Sequence, residues 1–106
     1  MGKLTTHVLD TVSGKPGYGV LVRLLQDGAE VGRGVTNGDG RLDAPLVEDG
    51  EGVYDLVFAV GEYFSRKGYE EGIFREAVIR FEMKVGGKYH VPLVCTPWAY
   101  STYRGS

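Results

Sequence analysis

The stretch Tyr54-Asp55-Leu56-Val57-Phe58-Ala59-Val60 decides the fold class. Aromatic and β-branched side chains dominate it, and such side chains fill the pleated surface of a sheet well, so we predict a central β-strand here. Downstream, apolar and charged residues alternate along Ala77–Met83, as expected for a strand with one buried face. The chain shows no helical periodicity sustained over several turns, which favours a β protein.

The rest of the chain adds short apolar runs separated by glycine-rich turns. These runs have the length and composition of short strands, and the predicted strands cover residues 4–9, 20–25, 30–36, 89–95 and 99–104. A short helix is predicted over residues 62–68, because Gly61 and Gly68 bracket good helix formers. About eight strands with one short helix predict an all-β sandwich that occupies residues 1–106 as a single domain.

The overall composition is that of an ordinary globular protein, with 42% hydrophobic and 25% charged residues in a chain of 106. A formal net charge of −2 and scattered basic residues argue against partners such as nucleic acid or an anionic membrane. Cys95 is the single cysteine, so an internal disulfide is impossible and we expect a cytoplasmic location. We find no apolar stretch long enough to span a bilayer and no apolar signal region.

Two familiar kinds of site are not supported by the sequence. The turn Asn37-Gly38-Asp39-Gly40 resembles part of a calcium-binding loop, but Val35 and Leu46 stand where that loop needs carboxylates. The spacing also argues against a Cys95–His90 catalytic pair, because residues five apart on a strand point to opposite faces. We therefore expect Cys95 to be a small core residue.

Three polar residues, His7, Arg41 and His90, stand where a plain sandwich would not require them. Each histidine can be a solvated side chain on an outer face, or a general base that titrates near neutral pH. Arg41 follows a turn, where arginine is usually solvated, but its guanidinium can also grip a planar, carbonyl-rich ligand. Residue types and spacing leave both readings open.

The C-terminal segment from Trp98 to Ser106 is rich in aromatic and strand-forming residues, whereas chain ends normally fray. We therefore predict that this tail packs against the domain almost to its last residue. An exposed aromatic interface for a partner is the plainer alternative.

Several segments resemble the 5-hydroxyisourate hydrolases, a family also called transthyretin-related proteins. The matching segments are Leu4-Thr5-Thr6-His7-Val8-Leu9-Asp10, Gly14-Lys15-Pro16, Thr36-Asn37-Gly38-Asp39-Gly40-Arg41, Tyr89-His90-Val91-Pro92-Leu93 and the ending Pro97-Trp98 with Tyr100-Ser101-Thr102-Tyr103-Arg104-Gly105-Ser106. The last four residues are the most specific match, since this tetrapeptide separates the enzymes from the transthyretin hormone carriers. The resemblance runs in register from Leu4 to Ser106.

This resemblance implies a transthyretin-like β-sandwich that assembles into a homotetramer, a dimer of dimers, with active sites in the grooves where two dimers meet. The implied reaction is the hydrolysis of 5-hydroxyisourate to 2-oxo-4-hydroxy-4-carboxy-5-ureidoimidazoline in urate (purine) degradation. Water adds to a lactam carbonyl of the substrate and opens its six-membered ring. No metal and no organic cofactor is expected.

The resemblance also assigns site residues by matching motif. The implied catalytic residues are His7, Arg41 and His90, and the implied substrate-binding residues are His7, Arg41, Tyr103, Arg104, Gly105 and Ser106. We hypothesise that one or both histidines orient or deprotonate the attacking water, and that Arg41 holds the flat ring and favours charge on its oxygens. Tyr103 would contact the substrate while the residues after it shape the pocket wall.

Two other functions compete with a hydrolase. A transthyretin-like carrier of small aromatic ligands would need an apolar channel, which is costly to line with polar side chains such as His7 and Arg41. A structural sandwich, such as an adhesin domain, would leave the C-terminal tail unexplained. The hydrolase is the prediction that accounts for the polar residues and the tail together.

Overall fold

The structure of the protein, a computed structural model, describes residues 3–106. The elements in chain order are β1 (Lys3–Thr5), β2 (Val8–Asp10), β3 (Lys15–Pro16), β4 (Leu21–Gln26), β5 (Ala29–Val35), β6 (Gly52–Phe58), α1 (Val60–Arg66), β7 (Ala77–Met83), β8 (Lys88–His90), β9 (Leu93–Cys95) and β10 (Tyr100–Thr102). Residues 1 and 2 of the domain predicted over residues 1–106 therefore lie outside the described part of the chain. No helix within residues 3–106 has the length and apolar character needed to cross a membrane.

One sheet of the sandwich has the strand order β5-β4-β6-β7, and all of its neighbouring strands are antiparallel. Strand β6 lies between β4 and β7, so the prediction of a central strand is confirmed, although the strand ends at Phe58 and Val60 begins the helix. The alternation along β7 is also confirmed, since Ala77 and Met83 at its two ends are buried while the charged residues face solvent. Antiparallel strands with one buried face produce this pattern.

The second sheet has the order β10-β9-β2-β3, and the parallel pair β1-β8 extends it. Both parallel ladders share one register, with Thr5 opposite His90 and Val8 opposite Leu93. Backbone bonds continue between them, because Val91 N–H donates to the Thr5 carbonyl at 3.0 Å and Leu93 N–H donates to the His7 carbonyl at 2.8 Å. Strands β1 and β2 thus form one interrupted strand, and β8 and β9 form another.

The interruption corrects the sequence prediction, which treats 4–9 and 89–95 as two unbroken strands. At the interruption the Thr6 hydroxyl donates to the Val91 carbonyl at 2.6 Å, so a side chain takes the place of regular backbone pairing there. Counting each interrupted strand as one leaves eight strands among residues 3–106, as predicted for a transthyretin-like sandwich.

The core lies between the two sheets and follows the alternation of the strands. Along the first interrupted strand, Leu4, Thr6, Val8 and Asp10 are all buried, so the residues between them face outward. Alternate residues at the start of β4 are also fully buried. These are Val20 (just before the strand), Val22 and Leu24. Helix α1 covers one end of the core with Val60, Tyr63 and Phe64.

The predicted boundaries of the helix and of the last strand are also wrong. The helix spans Val60–Arg66 instead of 62–68, because Gly61 lies inside its first turn rather than before it. A Cβ on Gly61 would stand 2.9 Å from the Cα of Arg75, so glycine here permits close packing of the following loop. The last strand spans Tyr100–Thr102 rather than 99–104, and the residues after it continue without regular pairing.

Candidate active site

The outward face of the second sheet brings the two histidines together. Thr5 and His7 share this face, because they are two residues apart on a strand whose intervening residue, Thr6, is buried. His90 is the register partner of Thr5 on the neighbouring strand and so faces the same way. The histidines are therefore diagonal neighbours on one sheet face, and both side chains are partly buried.

Arg41 reaches this face through an isolated antiparallel bridge with His7. The turn before it is held by its own polar groups, since the Asn37 side-chain oxygen accepts from the N–H groups of Asp39 (2.9 Å) and Arg41 (3.2 Å). The Asn37 N–H also donates to the Arg41 carbonyl at 2.8 Å. This bonding fixes the backbone of Arg41 beside His7, while its side chain is exposed and available to a ligand.

Gly40 attaches the turn to the first strand. Its carbonyl accepts from Val8 N–H at 2.8 Å, and its φ of 73° lies in the left-handed region that favours glycine. A Cβ here would stand 3.2 Å from Cδ2 of the His7 ring and 2.5 Å from the Val8 carbonyl oxygen. Glycine at this position lets the turn lie directly against His7.

The environment of His90 keeps its imidazole neutral. Burial chiefly lowers the pKa of His90, and the positive charges of Arg41 and His7 lower it further. A backbone hydrogen bond to Thr5 acts in the opposite direction and is the weakest of these effects. A neutral imidazole close to a guanidinium can accept a proton from water, which is the chemistry of a general base.

The C-terminal tail packs along the strand that carries His90, as predicted. Strand β10 pairs with β9, and Thr102 donates its hydroxyl to the Pro92 carbonyl at 2.7 Å. Beyond it, Gly105 N–H donates to the His90 carbonyl at 2.7 Å. Ordered contacts therefore continue to the penultimate residue.

The other tail residues differ in their contacts. The Arg104 guanidinium lies 4.3 Å from the ring centroid of Tyr89 and donates to the Lys88 carbonyl at 3.1 Å, so it anchors the tail. Tyr103 and Ser106 are exposed. Gly105 lies against the His90 ring, where a Cβ would stand 2.5 Å from Cδ2, whereas the side chains of Tyr103 and Ser106 are exposed.

A cavity of about 150 Å³ opens beside Arg41 on this part of the molecule. Its lining residues are Thr5, Thr6, Arg41, Leu42 and Ala44. Thr5 and Leu42 were missed by the sequence predictions. The signal for Thr5 was present, because it lies two residues from His7 and must share its face. A larger cavity of about 660 Å³ adjoins α1 and is lined by none of the predicted site residues.

Cys95 lies on the opposite face from His90 and is 1% exposed, so the prediction that it is a core residue is confirmed. Burial raises the pKa of its thiol to about 12, and the thiolate needed for nucleophilic chemistry is therefore not formed near neutral pH. Within residues 3–106, no three His, Cys, Asp or Glu side chains are grouped so that they could hold a metal ion.

Comparison with known proteins gives full-length matches. The model of the HIUase/Transthyretin family matches residues 4–105. The 5-hydroxyisourate hydrolase of Deinococcus radiodurans is 50% identical over 115 residues, covering 97% of this chain and 95% of the relative. The structure of Klebsiella pneumoniae 5-hydroxyisourate hydrolase matches with a TM-score of 0.90 at 38% identity, covering 100% of both chains. Sea bream transthyretin, solved in complex with thyroxine, matches with a TM-score of 0.87 at 25% identity, covering 97% of this chain and 94% of that one.

Proposed function

The chain belongs to the HIUase/Transthyretin family, and we propose that it hydrolyses 5-hydroxyisourate on the sheet face that carries His7, Arg41 and His90. The product is 2-oxo-4-hydroxy-4-carboxy-5-ureidoimidazoline, a step of urate degradation. The observation that carries the proposal is the convergence of two histidines and one arginine from three separate segments on one outward face. A structural sandwich would have no need of such a convergence.

The proposed chemistry needs a base for water and a cation for the developing oxyanion. His90 is suited to the role of base, because burial and two positive neighbours lower its pKa and keep it neutral. Arg41 is suited to the role of the cation that stabilises the oxyanion. Its guanidinium is always charged and presents several donors in one plane to a flat, carbonyl-rich ring. His7 stands opposite Arg41 and orients either the water or the substrate.

Substrate binding in this proposal also uses the tail. Tyr103 is 59% exposed beside the site and would contact the substrate ring, while Arg104, Gly105 and Ser106 form the wall next to His90. The contacts of Arg104 with Tyr89 and of Gly105 with His90 support this role, because they hold the tail against the catalytic strand.

The proposal includes the assembly expected for the family. We propose that residues 1–106 form a single domain, that the protein is a homotetramer built as a dimer of dimers, and that it acts in the cytoplasm on this small-molecule substrate. The site is an open sheet face in one protomer, which a second dimer would close into a groove. Size-exclusion chromatography with light scattering tests the assembly, since a monomer under assay conditions would contradict it.

A transthyretin-like carrier is the second candidate, because sea bream transthyretin, which has the same fold, was solved with thyroxine bound. One experiment separates the two functions. Urate oxidase generates 5-hydroxyisourate from urate, and its ultraviolet absorbance is followed with and without the protein, because the compound also decays unaided. Acceleration by the protein supports the hydrolase. No acceleration, together with saturable thyroxine binding, would support the carrier.

A further inference from the structure

Thr5 contacts the imidazole of His90 directly. Its hydroxyl oxygen lies 2.9 Å from Nδ1 of the ring, a normal hydrogen-bond distance. The two residues are register partners on adjacent parallel strands, so the sheet itself fixes their separation. The contact joins a ring atom of His90 to a residue outside the set of implied site residues.

Gly105 holds the opposite side of the same ring. A Cβ at residue 105 would stand 2.5 Å from Cδ2 of His90, so any side chain there would displace the imidazole. The Gly105 N–H also donates to the His90 carbonyl at 2.7 Å. The ring is thus confined between a hydroxyl at Nδ1 and a glycine at Cδ2, and within residues 3–106 Nε2 has no hydrogen-bond partner.

We propose that Thr5 is a positioning residue for the hydrolysis: its oxygen accepts the Nδ1–H of His90 and thereby leaves Nε2 unprotonated to take the proton from the attacking water. In this step the O–H bond of water breaks as its oxygen bonds to the lactam carbonyl carbon, the carbonyl electron pair moves onto its oxygen, and the proton passes to Nε2. The ring C–N bond then breaks as the carbonyl re-forms, and the leaving nitrogen takes the proton from Nε2. The proposal rests on the hydrolase function proposed above. It deepens that function by assigning the base and the tautomer it needs.

The surroundings of His90 favour this tautomer. The main chain of Thr5, as distinct from its hydroxyl, also raises the pKa of His90, as an acceptor that stabilises a ring N–H does. Register, charge effects and contacts place Lys3, His7, Arg41, Lys88 and Arg104 around this strand, and the Ser106 carboxylate follows Gly105. The lysines and arginines have no acceptor atom, and the oxygen at hydrogen-bond distance from Nδ1 is the Thr5 hydroxyl at 2.9 Å.

The test compares Thr5→Val, which keeps the shape of the side chain and removes the hydroxyl, with Thr5→Ser, which restores it. Thr11→Val is the matched control. It makes the same change next to β2, where the Thr11 hydroxyl donates to the Cys95 carbonyl at 3.1 Å, away from the histidines. The measurements are kcat and KM with freshly generated 5-hydroxyisourate, the pH profile of kcat, and the ¹H–¹⁵N NMR correlations of the imidazoles, assigned with His7→Gln.

We expect the wild-type spectrum to show His90 protonated at Nδ1. Thr5→Val should lose this single tautomer and lower kcat about tenfold, the effect of losing one neutral hydrogen bond, with KM changed less than twofold. The acid limb of its pH profile of kcat should also move to lower pH, because losing the acceptor of the Nδ1–H lowers the pKa of His90. Thr5→Ser should recover most of kcat, and Thr11→Val should match the wild type in tautomer and kcat.

Three results would overturn the proposal. They are a wild-type His90 protonated at Nε2, an unchanged kcat in Thr5→Val, and a lowered kcat with the tautomer and pH profile unchanged. The tautomer measurement needs no turnover. If the wild-type protein failed to hydrolyse the substrate, the proposed function would fail while the NMR result still reported on the Thr5–His90 contact.

Discussion

His7 and Arg41 stand opposite each other in an isolated antiparallel bridge between the first strand and the turn that follows β5. Side chains directly opposite in such a bridge have Cβ atoms about 5 Å apart and lie on one face. The backbone bridge therefore places the titratable His7 ring beside the permanently charged Arg41 guanidinium. It also ties the geometry of the site to the turn 37–40.

Replacing Arg41 by lysine should lower kcat/KM by about 10- to 100-fold, although the positive charge is kept. Lysine presents a compact ammonium and cannot hold a planar ring with paired donors. Steady-state kinetics with 5-hydroxyisourate tests this prediction, and Arg33→Lys is the control, because Arg33 pairs with Glu30 at 2.7 Å on β5. Equal losses in the two variants would contradict a specific role for Arg41.

The titration of His90 should respond to Arg41. The Arg41 charge lowers the pKa of His90, so removing it in Arg41→Gln should raise that pKa towards the usual value of about 6.5. Since the neutral ring is the active form, wild-type activity should persist on acidification until the pH falls below that value. NMR titration of the imidazole measures the shift without requiring turnover. An unchanged or lower pKa in Arg41→Gln would show that the two groups are not electrostatically coupled.

Gly40→Ala should destabilise the fold by about 2 kcal/mol or more, because the left-handed backbone and the contact with Val8 both oppose a Cβ. Gly38→Ala is the matched control in the same turn, since a Cβ there would meet nothing within 4 Å. Its free energy of unfolding should change by less than about 0.5 kcal/mol. Urea unfolding of both variants tests the difference. Similar values would mean that the turn does not depend on close contact with the first strand.

Tyr63→Phe should lower the free energy of unfolding by about 1–2 kcal/mol, because the Tyr63 hydroxyl donates to the buried carboxylate of Asp10 at 2.8 Å. Burial and the Asp10 charge raise the pKa of Tyr63, which keeps the hydroxyl protonated as a donor. Tyr54→Phe is a suitable control, since the Tyr54 hydroxyl accepts from the backbone of the exposed residue Glu51, whose N–H can bind water instead. Thermal or urea unfolding of the two variants measures the difference between their free energies of unfolding. A larger loss in Tyr54→Phe would contradict the stabilising role of the Asp10 bond.

The sequence predicts those parts of the fold that depend on local alternation. The buried face of β4 and the span Ala77–Met83 follow directly from period-two patterns. The helix boundaries do not, because Gly61 serves a tertiary contact with Arg75 that local propensity does not contain. The break between β1 and β2 does not follow either, because it involves a contact of Thr6 with Val91, 85 residues away in the chain.

The features of the site divide in the same way into those that the sequence predicts and those that depend on tertiary structure. Motif resemblance points to His7, Arg41 and His90, and strand periodicity accounts for the shared face of Thr5 and His7. The contact between Thr5 and His90 depends on the register of two strands far apart in the chain, which no local pattern specifies. The close approach of Gly105 to the His90 ring likewise depends on how the tail folds back.

The most direct test of the site assignment is the ultraviolet decay of freshly generated 5-hydroxyisourate, compared for the wild type and His7→Ala at equal concentrations of folded, assembled protein. Here we predict rapid decay with the wild type and a loss of activity to nearly the unaided rate in His7→Ala, with its oligomeric state unchanged. Wild-type turnover in His7→Ala would contradict the claim that hydrolysis occurs on the face shared by His7, Arg41 and His90.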